Sequence, residues 1–171
     1  VAHRDLKPDN ILVQRGAYKI SDFGFANDEE KMESLCGTPL YIAPEILPVT
    51  GKKYNKKVDV WSLGVILYYM LTKEYPFYSE KRISLYQIIL QNSFRIKKEY
   101  RKKWSPNLRS LFQQCFEKNP KNRLSIDKFL NHEVFRKIKP LFGKNLDSIN
   151  LDITKNGINY KASYSQNWRK N

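Results

Sequence analysis

From Val58 to Leu71 the chain reads VDVWSLGVILYYML, apolar on nearly every side of a helical wheel. A helix without a polar face must be covered all round, so this one belongs at the centre of a core built by other elements. Its longest apolar stretch, Leu63 to Leu71, falls short of the roughly 20 residues that cross a bilayer, and no transmembrane segment is expected. The chain has 171 residues, enough for one domain with a core. An apolar content of 41% excludes a wholly disordered chain.

The covering elements can be read on both sides. Ile83 to Leu90 is a short amphipathic segment. Leu108, Leu111, Phe112, Cys115 and Phe116 recur at helical spacing, and Ser105-Pro106 in front of them fits a cap followed by a first-turn proline. Ser125 caps a last helix to about Leu130, with Asp127 in its first turn. Upstream, Asn10 to Val13 reads as a short buried strand, Gly16 as a turn, and Tyr18 to Ile20 as the hairpin partner. A lone hairpin is marginal, so it needs a surface to pack on. Phe23 to Pro48 shows no sustained period and reads as a long ordered loop, a kind that is usually functional. From Gly143 onward there are six Asn in 29 residues and scattered apolar ones, read as a polar, flexible tail.

Charge and cysteines narrow the function classes. The net charge is +14, and Lys81 to Lys103 holds eight basic residues against one Glu. Without an aromatic-interleaved basic motif, the stretch reads as a solvated surface, and no nucleic-acid partner is expected. Cys36 and Cys115 are far apart, which gives neither a disulfide framework nor a metal pattern and suits a cytoplasmic or nuclear setting. His3 and His132 have no ligand-type neighbours, so no zinc site is assigned.

The dense chemistry lies early. HRDLKPDN, His3 to Asn10, is followed by DFG at Asp22-Phe23-Gly24 and by APE at Ala43-Pro44-Glu45. These match, in order, the catalytic-loop, metal-binding and loop-end signatures of protein kinases. Residues 1 to about 136 therefore resemble the mostly helical C-lobe of a protein kinase, an α+β fold with a short β-hairpin, and 137–171 the polar tail. DFGFA with SLCGTPLYIAPEIL is similar to the autophagy-initiating (unc-51-like) and calcium/calmodulin-dependent groups, although the tail shows no calmodulin-target helix.

The resemblance implies a role for each matching residue. Asp5 is the expected catalytic base, and Lys7 neutralises the transferring γ-phosphate of ATP. Asn10 and Asp22 supply the hard oxygens that hold Mg²⁺, and Gly24 permits the turn after the metal ligand. Leu12 lies under the adenine. Thr38 should contact Asp5 and Lys7, and Leu40 to Ile42 should line the pocket for the residue after the acceptor. His3 and Phe23 match the hydrophobic spine, and Asp59 the anchor of the catalytic-loop backbone. Glu45 and Arg123 match a buried ion pair. Lys7 and GTPLYIAPE are of the serine/threonine form, so the expected partner is a protein with a Ser or Thr acceptor. Asp9 matches an acidic specificity position, whereas a second such position is Tyr69. Arg4 beside Asp5 implies control by loop phosphorylation, with Ser34 the candidate phosphosite. The acidic run Asp28-Glu29-Glu30 could supply charge there without modification.

Val1 is not a methionine, and no G-x-G-x-x-G occurs in the 171 residues. The N-lobe, with its glycine-rich loop and phosphate-gripping lysine, is thus expected upstream in cis, and the fragment alone is expected to be inactive. Two alternatives are a noncatalytic kinase-like interaction module and a basic nucleic-acid or membrane binder using Lys81 to Lys103.

Overall fold

A computed structural model describes residues 2–14, 17–25, 39–47, 55–136, 149–154 and 157–162. The apolar run folds as helix α1 (Lys57–Thr72). Asn55 Oδ1 accepts from the Lys57 amide near its start, and Lys73, in the left-handed region at φ 60°, closes its end by donating to the Tyr69 carbonyl. Val58, Val60, Trp61, Val65, Ile66 and Tyr68 are buried, as a helix with no polar face requires. Burial is not complete all round: Met70 is 58% exposed.

Helices α2 (Arg82–Gln91), α3 (Lys98–Lys103), α4 (Pro106–Cys115) and α5 (Ile126–Leu130) follow. The sequence signals for α4 and α5 act locally as read. Ser105 Oγ accepts from the Leu108 amide at 3.2 Å, with Pro106 in the first turn, and Ser125 Oγ accepts from the Lys128 amide at 3.3 Å. Helix α3, KEYRKK, was not foreseen. It buries no residue, so it has no apolar stripe to betray it. His132 lies just past α5, and its Nδ1 accepts from the Val134 amide to cap the 3-10 turn Glu133–Phe135.

An aromatic lattice welds these helices around α1. Tyr68 meets Phe94, Trp104 and Phe112 edge to face, and Trp61 stacks on Phe77 at 5.2 Å. Such pairs contribute about 0.5–1.5 kcal/mol each beyond area burial. Helix α1 and the end of α4 approach closely at Gly64, where an added Cβ would lie 2.8 Å from Cys115 Cβ and 3.1 Å from Phe116 Cε1. Gly64→Ala would gain about 1 kcal/mol of helix propensity and lose about 1–3 kcal/mol to overpacking. Because two Cβ atoms collide and neither can rotate away, the loss should win. Chemical denaturation should show a net destabilisation of about 1–2 kcal/mol, and a variant as stable as wild type would mean that the helices can separate freely.

Strands β1 (Ile11–Gln14) and β2 (Ala17–Ile20) pair antiparallel, Ile11 opposite Ile20 and Gln14 opposite Ala17. The hairpin is where it was expected, but it is not buried. Leu12, Val13, Tyr18 and Ile20 are between 49% and 67% exposed. An apolar run read as core is here an uncovered face, because the helices pack elsewhere. Within the stretch read as a polar, flexible tail, β3 (Ile149–Thr154) and β4 (Gly157–Ala162) pair antiparallel from Ile149 opposite Ala162 to Thr154 opposite Gly157. Ile149, Leu151 and Ile153 alternate with polar residues there, a period-two signal masked by the asparagine-rich composition. Among the described residues no helix is long and apolar enough to cross a membrane.

Candidate active site

The segment HRDLKPDN is held from beneath by the first turn of α1. Asp59 Oδ2 accepts from the His3 amide at 2.8 Å and Oδ1 from the Arg4 amide at 2.9 Å. This clamp keeps Arg4 in the left-handed region at φ 73°, a conformation that a bulky residue adopts only when its surroundings impose it. His3 Nδ1 accepts from the Asp5 amide at 3.4 Å, which leaves Nε2–H to donate to the Ser21 carbonyl at 2.9 Å. The His3 ring also packs on Phe23, centroids 4.7 Å apart. One imidazole therefore joins the catalytic-loop segment to the DFG segment.

A turn at Pro8–Asn10 then folds the chain back over Asp5. Asn10 Nδ2 donates to the Asp5 carbonyl at 2.8 Å and to Asp5 Oδ2 at 3.2 Å. Lys7 Nζ reaches the same Oδ2 at 2.8 Å. The Asp5 carboxylate, only 8% exposed, is thus gripped at one oxygen by two donors. The Lys7 ammonium is held above its ordinary pKa of 10.5, chiefly by the hydrogen bond to Asp5. Burial opposes the shift, and the charges of Asp5, Asp9 and Asp22 add to it. The five-residue offset from Asp5 to Asn10 is what lets one turn return the amide to the carboxylate.

Asn10 also anchors the second carboxylate. Its carbonyl accepts from the Ser21 amide at 2.9 Å and from Ser21 Oγ at 3.3 Å. Asp22, the next residue, is exposed and sits at φ 60°. Its Oδ1 accepts from the Gly24 amide at 3.4 Å, and a Cβ on Gly24 would come within 3.2 Å of that oxygen. Gly24 leaves room for the Asp22 carboxylate. Both bonds of Asn10 Nδ2 go to Asp5, so its amide oxygen is not spent on holding that residue. Two hard oxygen donors on tied loops suit magnesium, which binds one or two protein groups and completes its shell with phosphate and water.

The APE segment is locked from the far side. Arg123 Nη1 and Nη2 donate to Glu45 Oε1 and Oε2 at 2.6 and 2.8 Å, with side chains 0% and 2% exposed. Arg123 also donates to the carbonyls of Glu117, Lys57 and Lys118, and lies over the Trp61 ring. Ser62 Oγ, in mid-α1, donates to the Tyr41 carbonyl at 2.8 Å and fixes the loop Pro39–Tyr41 on the same helix. Ser21 and Ser62 were not singled out in the sequence. A hydroxyl inside an otherwise apolar helix was the available signal for Ser62.

Asp5, Lys7, Asn10 and Asp22 are therefore brought together on two tied segments. Leu12 stands 52% exposed on β1, next to them in sequence. Ser34, Cys36 and Thr38 lie outside the described residues. Tyr69 stacks on Tyr75 at 4.8 Å, and Tyr75 in turn meets Tyr41.

The protein kinase domain profile matches residues 1–135. CBL-interacting protein kinase 1 of Oryza sativa subsp. japonica is 42% identical over 146 residues, covering 80% of this chain and 30% of the relative. The ovarian-specific serine/threonine-protein kinase Lok of Drosophila melanogaster is 40% identical over 144 residues, again 80% and 30%. Serine/threonine-protein kinase ATG1b of Arabidopsis thaliana is 37% identical over 139 residues, 77% and 19%. The chain thus spans less than a third of the length of each of these relatives. With three ordered signatures, the clamped catalytic loop and a matching profile over most of its length, the chain belongs to the protein kinase domain family.

Proposed function

We propose that the protein carrying this chain transfers the γ-phosphate of ATP to serine or threonine hydroxyls of other proteins, and that Asp5, Lys7, Asn10 and Asp22 carry the reaction. The observation behind this is the double grip on Asp5 Oδ2 by Lys7 and Asn10, which aims a nearly buried carboxylate and sets a permanent positive charge beside it. Asp5 accepts the proton of the acceptor hydroxyl, the hydroxyl oxygen attacks the γ-phosphorus, and ADP leaves. Lys7 offsets negative charge on the phosphoryl oxygens. Asn10 and Asp22 hold Mg²⁺, which neutralises phosphate charge when bound. Thr38, outside the described residues, is the residue we expect to contact Asp5 and Lys7. Leu12 supports the adenine.

Val13, Tyr18 and Ile20 share one exposed apolar face of the hairpin, Leu12 is exposed on the other, and Phe23 is exposed beside them, surface that an N-lobe would cover. Such a lobe would supply the glycine-rich loop. The 171 residues alone would then lack several charge-stabilising donors, each responsible for about 10²–10³ in rate, and should not turn over. Arg4 would take up phosphate placed on Ser34.

Phosphoamino-acid analysis tests the substrate class. Native-length protein incubated with labelled ATP and peptides bearing Ser, Thr or Tyr should label Ser or Thr peptides only. Labelling confined to the tyrosine peptide would overturn the assignment.

A further inference from the structure

Away from the catalytic loop, the segment after α2, helix α3 and the start of α4 border an open, concave cavity of about 670 Å³. Arg95, Arg101 and Arg109 line it, together with Phe94, Ile96 and Ser110. The three arginines come from three different places, the α2–α3 connection, α3 and α4, so the fold rather than the sequence groups them. Among the described residues none of the three guanidinium groups is paired with a carboxylate. Neighbouring cations are engaged: Lys97 is paired with Glu74 at 2.6 Å, and Lys118 donates to the Leu90 carbonyl at 2.7 Å. Three uncompensated cations around one concave space repel one another, and an anion seated among them would relieve that. Guanidinium forks match phosphate oxygens in pairs, which lysines do not. Ser110 adds a hydroxyl donor. Phe94 and Ile96 give the same cavity an apolar flank, which suits a phosphate carried on a peptide with an apolar neighbour better than a bare duplex or bilayer surface, since either of those would meet a convex, evenly basic patch.

We infer that this cavity is a docking site for a phosphorylated serine or threonine of a partner peptide, separate from the transfer site. Binding of a fluorescent phosphoserine peptide with flanking apolar residues, followed by anisotropy on the native-length protein, tests it. The phosphopeptide should bind about tenfold or more tighter than its unphosphorylated twin, since each charged hydrogen bond gained contributes on that order. Changing Arg95, Arg101 and Arg109 together to alanine should abolish the difference. Changing Lys98, Lys102 and Lys103 to alanine, which removes the same charge from outside the cavity, should leave it in place. Thermal melting of both triple variants verifies that they fold. Equal losses in the two variants would reduce the site to general surface charge and overturn the inference. Inorganic phosphate that competes as well as the peptide, or anionic vesicles that bind through the same three arginines with no phosphopeptide preference, would each overturn the peptide assignment.

Discussion

Asp5→Asn should slow phosphate transfer by about 10²–10⁴-fold, the usual contribution of a positioned acid or base, with little change in the KM for ATP. The substitution keeps the shape of the side chain. The Asp5 carbonyl still accepts from Asn10 Nδ2 at 2.8 Å, and the His3 and Arg4 amides still bind Asp59. The loop should therefore hold its form, and the melting temperature should stay within about 3 °C of wild type. What is lost is the carboxylate that pairs with Lys7 and that we propose takes the hydroxyl proton. Single-turnover and steady-state rates on one preparation separate the two effects. A rate within about threefold of wild type would remove Asp5 from the chemistry. A fall in rate matched by a collapse in melting temperature would make Asp5 a structural residue instead.

The second large effect is on stability. Glu45→Ala should destabilise the fold by about 3–5 kcal/mol, because it strands the Arg123 charge, 0% exposed, away from water. Arg123 would keep its bonds to the carbonyls of Glu117, Lys57 and Lys118, but these are dipoles and not a counter-charge. Arg123→Ala should cost at least as much, since it leaves a buried carboxylate and removes the donor to all three carbonyls. Replacing both partners by apolar residues of similar volume should recover much of the loss, as removing a buried pair whole avoids the stranded charge. Urea denaturation of the two single variants and the double variant measures this. Additive losses in the double variant would mean that the two side chains do not act as a pair.

Much of the site was legible because its geometry is local. Asp5, Lys7 and Asn10 lie within six residues, and one turn closes them. The clamp by Asp59, 56 residues from His3, was legible only through the family resemblance. The unbroken apolar run exposed α1, the Ser125 cap exposed α5, and periodicity exposed α2 and α4. It could not expose α3, whose ordering rests on Tyr100 stacking against Trp104 at 5.0 Å rather than on a stripe. The hairpin failed in a different way. Ile11 to Val13 is apolar, and apolarity alone cannot distinguish a strand buried in its own domain from one that offers its face to another. The basic stretch reads as a solvated surface because no aromatic-interleaved basic motif accompanies it; only the folded arrangement of the α2–α3 connection, α3 and α4 brings Arg95, Arg101 and Arg109 to one groove.

Asp5, Lys7, Asn10 and Asp22 are proposed to form a magnesium-dependent phosphoryl-transfer site. Transfer of labelled γ-phosphate to a serine peptide by native-length protein, with Mg²⁺ or with chelator, for wild type and Asp22→Ala, tests it most directly. Transfer that requires Mg²⁺ and falls by about 10²-fold or more in Asp22→Ala is the expected result. Transfer that persists in chelator, or an Asp22→Ala protein as active as wild type, would contradict it.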